Sequence, residues 1–200
     1  MIFAVVDVLI SLVHSALIPA IHMTSFGYIY FGYRFLHAST EMGVVASLIW
    51  VLLFYQTFVL LAFHYVYRYV MLCQPTWLTG FSRNPWRNWI LTIFAADVTF
   101  IGGILIACFA GLLPTEVSRK AFAPVLRDVY NIDLFATNRP GYLGIVYWII
   151  NDHGEKEWIP RNIAVIGWVI LLFFSTALII ILCIVKIIRE LSGSRLYFEI

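Results

Sequence analysis

Apolar residues gather into four long runs, separated by stretches rich in aromatic, turn-forming and charged residues. The first runs from Ile2 to Ala20, with Asp7 and His14 inside it and Pro19 near its end. Gly43 to Cys73 is longer than the roughly 20 residues that a bilayer core requires, so it should tilt or protrude. Asn88 to Leu113 contains Asp97 and the Gly102–Gly103 pair, and Asn162 to Ile188 is the most uniformly aliphatic. In hydrocarbon every backbone polar group must be satisfied within the segment, so these runs predict helices rather than open strands. A signal peptide fits the first run poorly, because it lacks a basic leader and carries an acid within its apolar core.

The connections differ in character. Ile21 to Met42 is short and aromatic, Gln74 to Arg87 is short and basic, and Pro114 to Arg161 is a substantial loop. In that loop Val117, Phe122, Val125, Leu126, Val129 and Tyr130 recur at spacings near three and four. Glu116, Arg119, Lys120, Arg127 and Asp128 take the other side, which predicts an amphipathic helix on the membrane surface or capping the bundle. Pro114 and Thr115 suit its start, and Pro124 predicts a local break. The remainder is turn-rich at Pro140–Gly141 and at Asp152–His153–Gly154.

Composition agrees with a membrane protein: 62% of positions are hydrophobic and 12% charged, against about 45–50% and about 25% in soluble domains. A net charge of +2 leaves no basic field for nucleic acid. Cys73, Cys108 and Cys183 all lie in or at the ends of apolar runs, so no disulfide framework or metal-ligand spacing is present. Orientation is not decided by charge. The first and third connections hold seven Lys/Arg, and Arg68, Gln74–Arg87 and the tail hold six.

Catalytic patterns are lacking. No two of the five histidines are spaced as a metal-binding pair, and Asn84 occupies the last place of what would be a nucleophile elbow at Gly80-Phe81-Ser82. No cofactor or metal is expected, and an enzyme is the poorest reading. Asp7 and Asp97 carry more information, since a mid-bilayer carboxylate costs about 2.5–3.5 kcal/mol even on the lenient insertion scale. Each should face other helices or water, either as interhelical hydrogen-bonding partners or as an ion or proton site. Gln56, midway along the second run, is the best polar candidate for ligand contact. Arg68 ends that run among tyrosines, where an arginine can reach the interface as an anchor.

Tyr67-Arg68-Tyr69, with Pro75 seven residues on, resembles the arginine motif that closes the third helix of seven-helix G-protein-coupled receptors. More closely, AFHYVYRYVMLCQP is similar to the matching segment of nematode serpentine chemoreceptors of the Str type. VVDVLISLVHS resembles that family's second helix, LPTEVSRKAFAPVLRDVYNIDL its second extracellular loop, and RPGYLGIVYW the region before its fifth helix.

The resemblance implies an all-α membrane protein whose four transmembrane helices are helices two to five of a seven-helix bundle, in one partial receptor domain with a long second extracellular loop. It implies a small-molecule ligand such as an odorant in the outer bundle, and a heterotrimeric G protein coupled through Tyr67, Arg68, Tyr69 and Pro75. It also implies a multi-pass place in the plasma membrane, extending to the sensory cilia of chemosensory neurons. Two features depart from rhodopsin-like receptors: Tyr67 replaces the acid before the arginine, and no cysteine is placed to tie helix three to the second extracellular loop. Counterparts of helices one, six and seven are not found within these residues, so the expectation is a truncated or fragmentary receptor. The alternative is a non-receptor four-span protein, either a channel or transporter subunit or a structural tetraspan. Gly102–Gly103 beside Asp97 gives the transporter version some support.

Overall fold

Each of the four apolar runs becomes a helix in the computed structural model, which describes residues 2–35, 39–74, 85–136, 140–151 and 153–196. They are α1 (Ile2–Leu17), α2 (Thr40–Cys73), α3 (Pro85–Ala107) and α5 (Pro160–Leu196). The loop helix is α4 (Glu116–Tyr130). Three of the helices are long and apolar enough to cross a membrane, and α1 is shorter. Its 16 residues rise about 24 Å, against a hydrocarbon core of about 30 Å. It stops three residues before the expected Ala20. Ile18 takes a left-handed conformation (φ 46°), its N–H donating to the His14 carbonyl, and Pro19 cannot continue the helix. Helix α3 runs unbroken through Gly102–Gly103, so the interruption a transporter would need does not form there. It ends in a wider π turn, Cys108–Leu112.

The connections hold strands that the hydrophobic pattern did not suggest. β1 (Pro19–Thr24) and β2 (Gly27–Gly32) form an antiparallel hairpin, and β3 (Leu143–Val146) joins β2 from more than a hundred residues away, giving the order β1-β2-β3. A Cβ on Gly27 would collide with the Ile145 carbonyl, so only glycine allows β3 to pair there. A second hairpin pairs β4 (Trp148–Ile150) with β5 (Lys156–Trp158) around a turn in which Asn151 Oδ1 accepts from the backbone N–H groups of His153 and Glu155.

The chain packs as two compact units. The first comprises Met1–Phe54 and Ile104–Val169, the second Tyr55–Gly103 and Ile170–Ile200. In the first unit β2 is covered on both faces. Ile29 and Phe31 pack with Phe122 and Leu126 of α4, while Tyr30 packs with Leu143, Ile145, Ala107 and Val165. Full burial of a side chain such as Phe122 or Leu126 is worth about 1.5–3 kcal/mol, so α4 is held chiefly by that face. Thr115 and Ser118 cap its start reciprocally, and Asn131 closes it in the left-handed conformation. The expected break at Pro124 does not occur; the helix continues through it, held on either side by buried Phe122 and Leu126.

Arg119 departs from the expected polar face. It is 5% exposed, donates from Nη1 to the Leu134 carbonyl at 3.2 Å, and sits 5.5 Å from the Tyr142 ring centroid. These partners come from outside the helix, which is why helical periodicity could not reveal them. Gly141 packs directly on Gly43 at the start of α2, where a Cβ on either residue would meet backbone of the other.

In the second unit the helices meet through aromatic rings. Phe58 and Tyr55 of α2 pack on Phe173 of α5 at 4.6 and 6.1 Å, and Phe63 packs on Trp89 of α3 at 5.9 Å. Leu61, Ile90, Leu91, Phe94, Phe174 and Leu178 are exposed, as lipid-facing side chains should be.

Candidate functional site

Three of the four coupling residues named from the sequence are described, all in the last turns of α2 within the second unit. Successive helical residues point about 100° apart, so Tyr67 and Tyr69 diverge around Arg68. The Tyr67 ring meets Trp89 of α3 edge-on at 5.4 Å. The Tyr69 ring lies beneath Lys186 of α5, with Nζ 5.5 Å from its centroid. Arg68 between them is exposed and is not ion-paired with any described residue. Each flanking tyrosine is thus engaged by a different helix while the guanidinium stays available. Pro75 lies outside the described residues. Lys186, whose place over Tyr69 depends on the packing of α5 against α2, carried no sequence signal beyond its charge.

Two other named residues come together. Gln56 Nε2 donates to Asp97 Oδ1 at 3.0 Å, linking α2 to α3 in a partly buried contact. Interhelical hydrogen bonding is one of the two roles expected of Asp97, and its partner in this contact is Gln56, which is named separately from the sequence as a candidate ligand contact. Such bonds are worth about 0.6 kcal/mol on average and up to about 1.7 kcal/mol within membranes. Asp7 is not part of this contact; it is exposed on α1, where its backbone carbonyl accepts from Ser11 Oγ at 2.8 Å.

The first unit holds a cleft of about 250 Å³ that no single sequence segment foreshadows. The π turn after α3, the start of α4, strand β3 and the start of α5 all contribute to it. Phe109, Leu113, Val117, Val146 and Ile159 form its apolar wall, and Ser118, Arg161 and Asn162 supply polar atoms. Asn162 Nδ2 is committed to the Val146 carbonyl at 2.7 Å, and Ser118 Oγ to Thr115 and to the Tyr142 hydroxyl at 2.8 Å.

Two buried tyrosines of this unit contrast with each other. Tyr142 has its hydroxyl bonded to Ser118, whereas the Tyr30 hydroxyl has no hydrogen-bond partner among the described residues, like that of Ser47. Burial pushes the Tyr30 phenol strongly upward. Burial also raises Tyr142, offset in part by the Ser118 bond and the Arg119 charge. The Tyr30 ring stacks on Trp50 at 4.9 Å, Trp50 stacks on Phe54 at 5.2 Å, and Trp50 Nε1 donates to His14 Nδ1 at 3.4 Å.

Among known protein families, the model described as serpentine type 7TM GPCR chemoreceptor Str matches residues 1–196. No curated protein and no solved structure matches the chain.

Proposed function

This chain belongs to the Str family of serpentine seven-transmembrane chemoreceptors, and on that premise we propose that it detects a small molecule and signals through a heterotrimeric G protein. It is a multi-pass membrane protein, and its family is one of receptors rather than enzymes. In this reading α1, α2, α3 and α5 stand as helices two to five. The observation that carries it is the end of α2, where Arg68 is exposed between two tyrosines held by Trp89 and Lys186.

An arginine whose flanking tyrosines are engaged by other helices, and which has no carboxylate partner among the described residues, is poised to bind acceptors on another protein. Its five donors suit helix C-terminal carbonyls or a carboxylate. With Tyr67 in place of an acid, the resting contact is aromatic, and the inactive and active packings differ in how the tyrosines sit on α3 and α5. Pro75 shapes the loop that follows, which faces the cytoplasm with the G protein. The loop containing α4 faces the exterior. The ligand enters from that side and competes with Asp97 for the Gln56 amide.

Topology tests the reading. A glycosylation or protease-site tag inserted after Ser82 should report the cytoplasm, and one after Asp152 the exterior. The reverse pattern sinks the receptor alignment. With that orientation established, Arg68→Ala in nanodiscs should weaken capture of a heterotrimeric G protein about tenfold or more, the loss expected for one charge-assisted hydrogen-bonding group.

A further inference from the structure

We propose that the cleft in the first unit binds a small amphipathic carboxylate, with Arg161 as its charge partner. The volume of about 250 Å³ falls just under the roughly 300–1,000 Å³ of drug-sized sites, so it suits a short chain or single ring. Phe109, Leu113, Val117 and Ile159 offer such a molecule an apolar wall. The π turn at Cys108–Leu112 shapes this wall, and π turns are frequent at functional sites.

The polar end of the cleft decides the ligand's charge. The Thr115 and Ser118 hydroxyls are spent on capping α4 and on Tyr142, and the Asn162 amide N–H on Val146. Arg161 is different. It lines the cleft, is exposed, and is not ion-paired with any described residue, the one described ion pair being Arg127–Asp133. A guanidinium presents a planar fork that matches a carboxylate with two parallel hydrogen bonds. An alcohol of the same length gains the apolar wall without the charge-assisted pair, and an amine brings a second cation beside the first. The cleft therefore ranks acid above alcohol above amine. Its occupancy as a signal rests on the chemoreceptor reading, but binding itself does not.

The test uses the full chain in lipid nanodiscs and radiolabelled octanoate, with uptake by empty nanodiscs subtracted and octanol and octylamine as competitors. Saturable octanoate binding is expected, displaced weakly by octanol and not by octylamine. Arg161→Gln should weaken it about ten- to a hundredfold, the range for losing a charge-assisted bond. Val117→Trp, which fills the cleft from an exposed position on α4, should abolish it, and Lys156→Gln outside the cleft should leave it unchanged. Thermal unfolding of each variant shows that the fold is kept. Octanoate uptake equal to that of empty nanodiscs, or binding equal in Arg161→Gln and the native chain, overturns the proposal. Either result leaves the topology and G-protein tests standing, so failure of the cleft is distinct from failure of the receptor reading.

Discussion

Replacing either of two buried tyrosines with phenylalanine should move stability in opposite directions. Tyr30 is 3% exposed and its hydroxyl has no described partner. An unsatisfied buried hydroxyl costs about 1–3 kcal/mol. Tyr30→Phe removes that penalty while keeping the ring stacked on Trp50, 4.9 Å away at an interplanar angle of 22°. Tyr142 is 1% exposed, but its hydroxyl lies 2.8 Å from Ser118 Oγ. Ser118 Oγ also bonds the Thr115 backbone, so Tyr142→Phe leaves the serine satisfied and costs only the net bond, about 0.5–1.5 kcal/mol. The two variants should therefore differ by at least about 1.5 kcal/mol, or about 3–6 °C in midpoint at the usual 2–4 °C per kcal/mol for chains of this size. Tryptophan fluorescence during heating in nanodiscs, or loss of the monodisperse peak after heating, reads the ordering. If Tyr30→Phe melts below the native chain by as much as Tyr142→Phe does, the Tyr30 hydroxyl is satisfied in the folded protein and the reasoning fails.

Three further expectations follow from other contacts. Gln56→Leu and Asp97→Leu should each destabilise, and the double variant should cost less than their sum by about 0.6–1.7 kcal/mol, the range for an interhelical bond in a membrane; additive losses in a double-mutant cycle would show that the bond contributes nothing. Arg119→Met removes the donor to the Leu134 carbonyl and should cost about 1–3 kcal/mol, with cleavage by limited proteolysis concentrated between Asn131 and Ala136; unchanged cleavage there argues against a role for Arg119 in anchoring that segment. Tyr30, Tyr142 and Tyr147 are all raised by burial above the usual tyrosine value of about 10. Their neutral forms are the ones the fold accommodates, so stability should be flat below that pH and fall above it, less steeply in Tyr30→Phe; equal slopes in a denaturation series at rising pH would contradict the assignment.

The helices were legible because runs of apolar residues this long admit little else in a membrane. The amphipathic period over Val117–Tyr130 likewise falls within α4, although it puts the buried Arg119 on the polar side. The boundaries that shifted did so for local reasons: Ile18 and Pro19 ended α1 early, and α5 ran past Ile188 into charged residues that a helix extending beyond the bilayer can keep in water. The sheet was not legible. β2 is buried along nearly its whole length, so GYIYFG shows no alternation and reads only as an aromatic connection. Its partner β3 sits between the turns at Pro140–Gly141 and Asp152–His153–Gly154, but nothing local joins residues so distant in sequence. Of the site residues, Tyr67, Arg68 and Tyr69 are legible in the sequence only as chain neighbours; that the two tyrosines turn to Trp89 and Lys186 is not. The Gln56–Asp97 bond required a helix packing that one-dimensional spacing does not contain, and the cleft is assembled from several separate segments.

The same long-range packing bears on the orientation that charge left tied. Of the seven Lys/Arg in the first and third connections, Arg119 is buried against a carbonyl and a ring, Arg127 pairs with Asp133 at 3.5 Å, and Lys156 lies 4.5 Å over Trp148. Those cations serve the internal architecture of the first unit. In the second unit Arg68, Arg87 and Arg189 are exposed, and Lys186 engages only a tyrosine ring. Free cations near helix ends are what the anionic cytoplasmic leaflet attracts, at about 1 kcal/mol each near the surface. Among the described residues the uncommitted cations are still evenly divided, because Arg34, Lys120 and Arg161 of the first unit are exposed just as Arg68, Arg87 and Arg189 of the second are. The cytoplasmic placement of Gln74–Arg87 therefore remains part of the proposal that the tag experiment reads. Arg68 belongs to both arguments. In the proposed receptor reading, the exposure that lets it anchor the end of α2 at an interface is also what leaves its guanidinium open to a G protein.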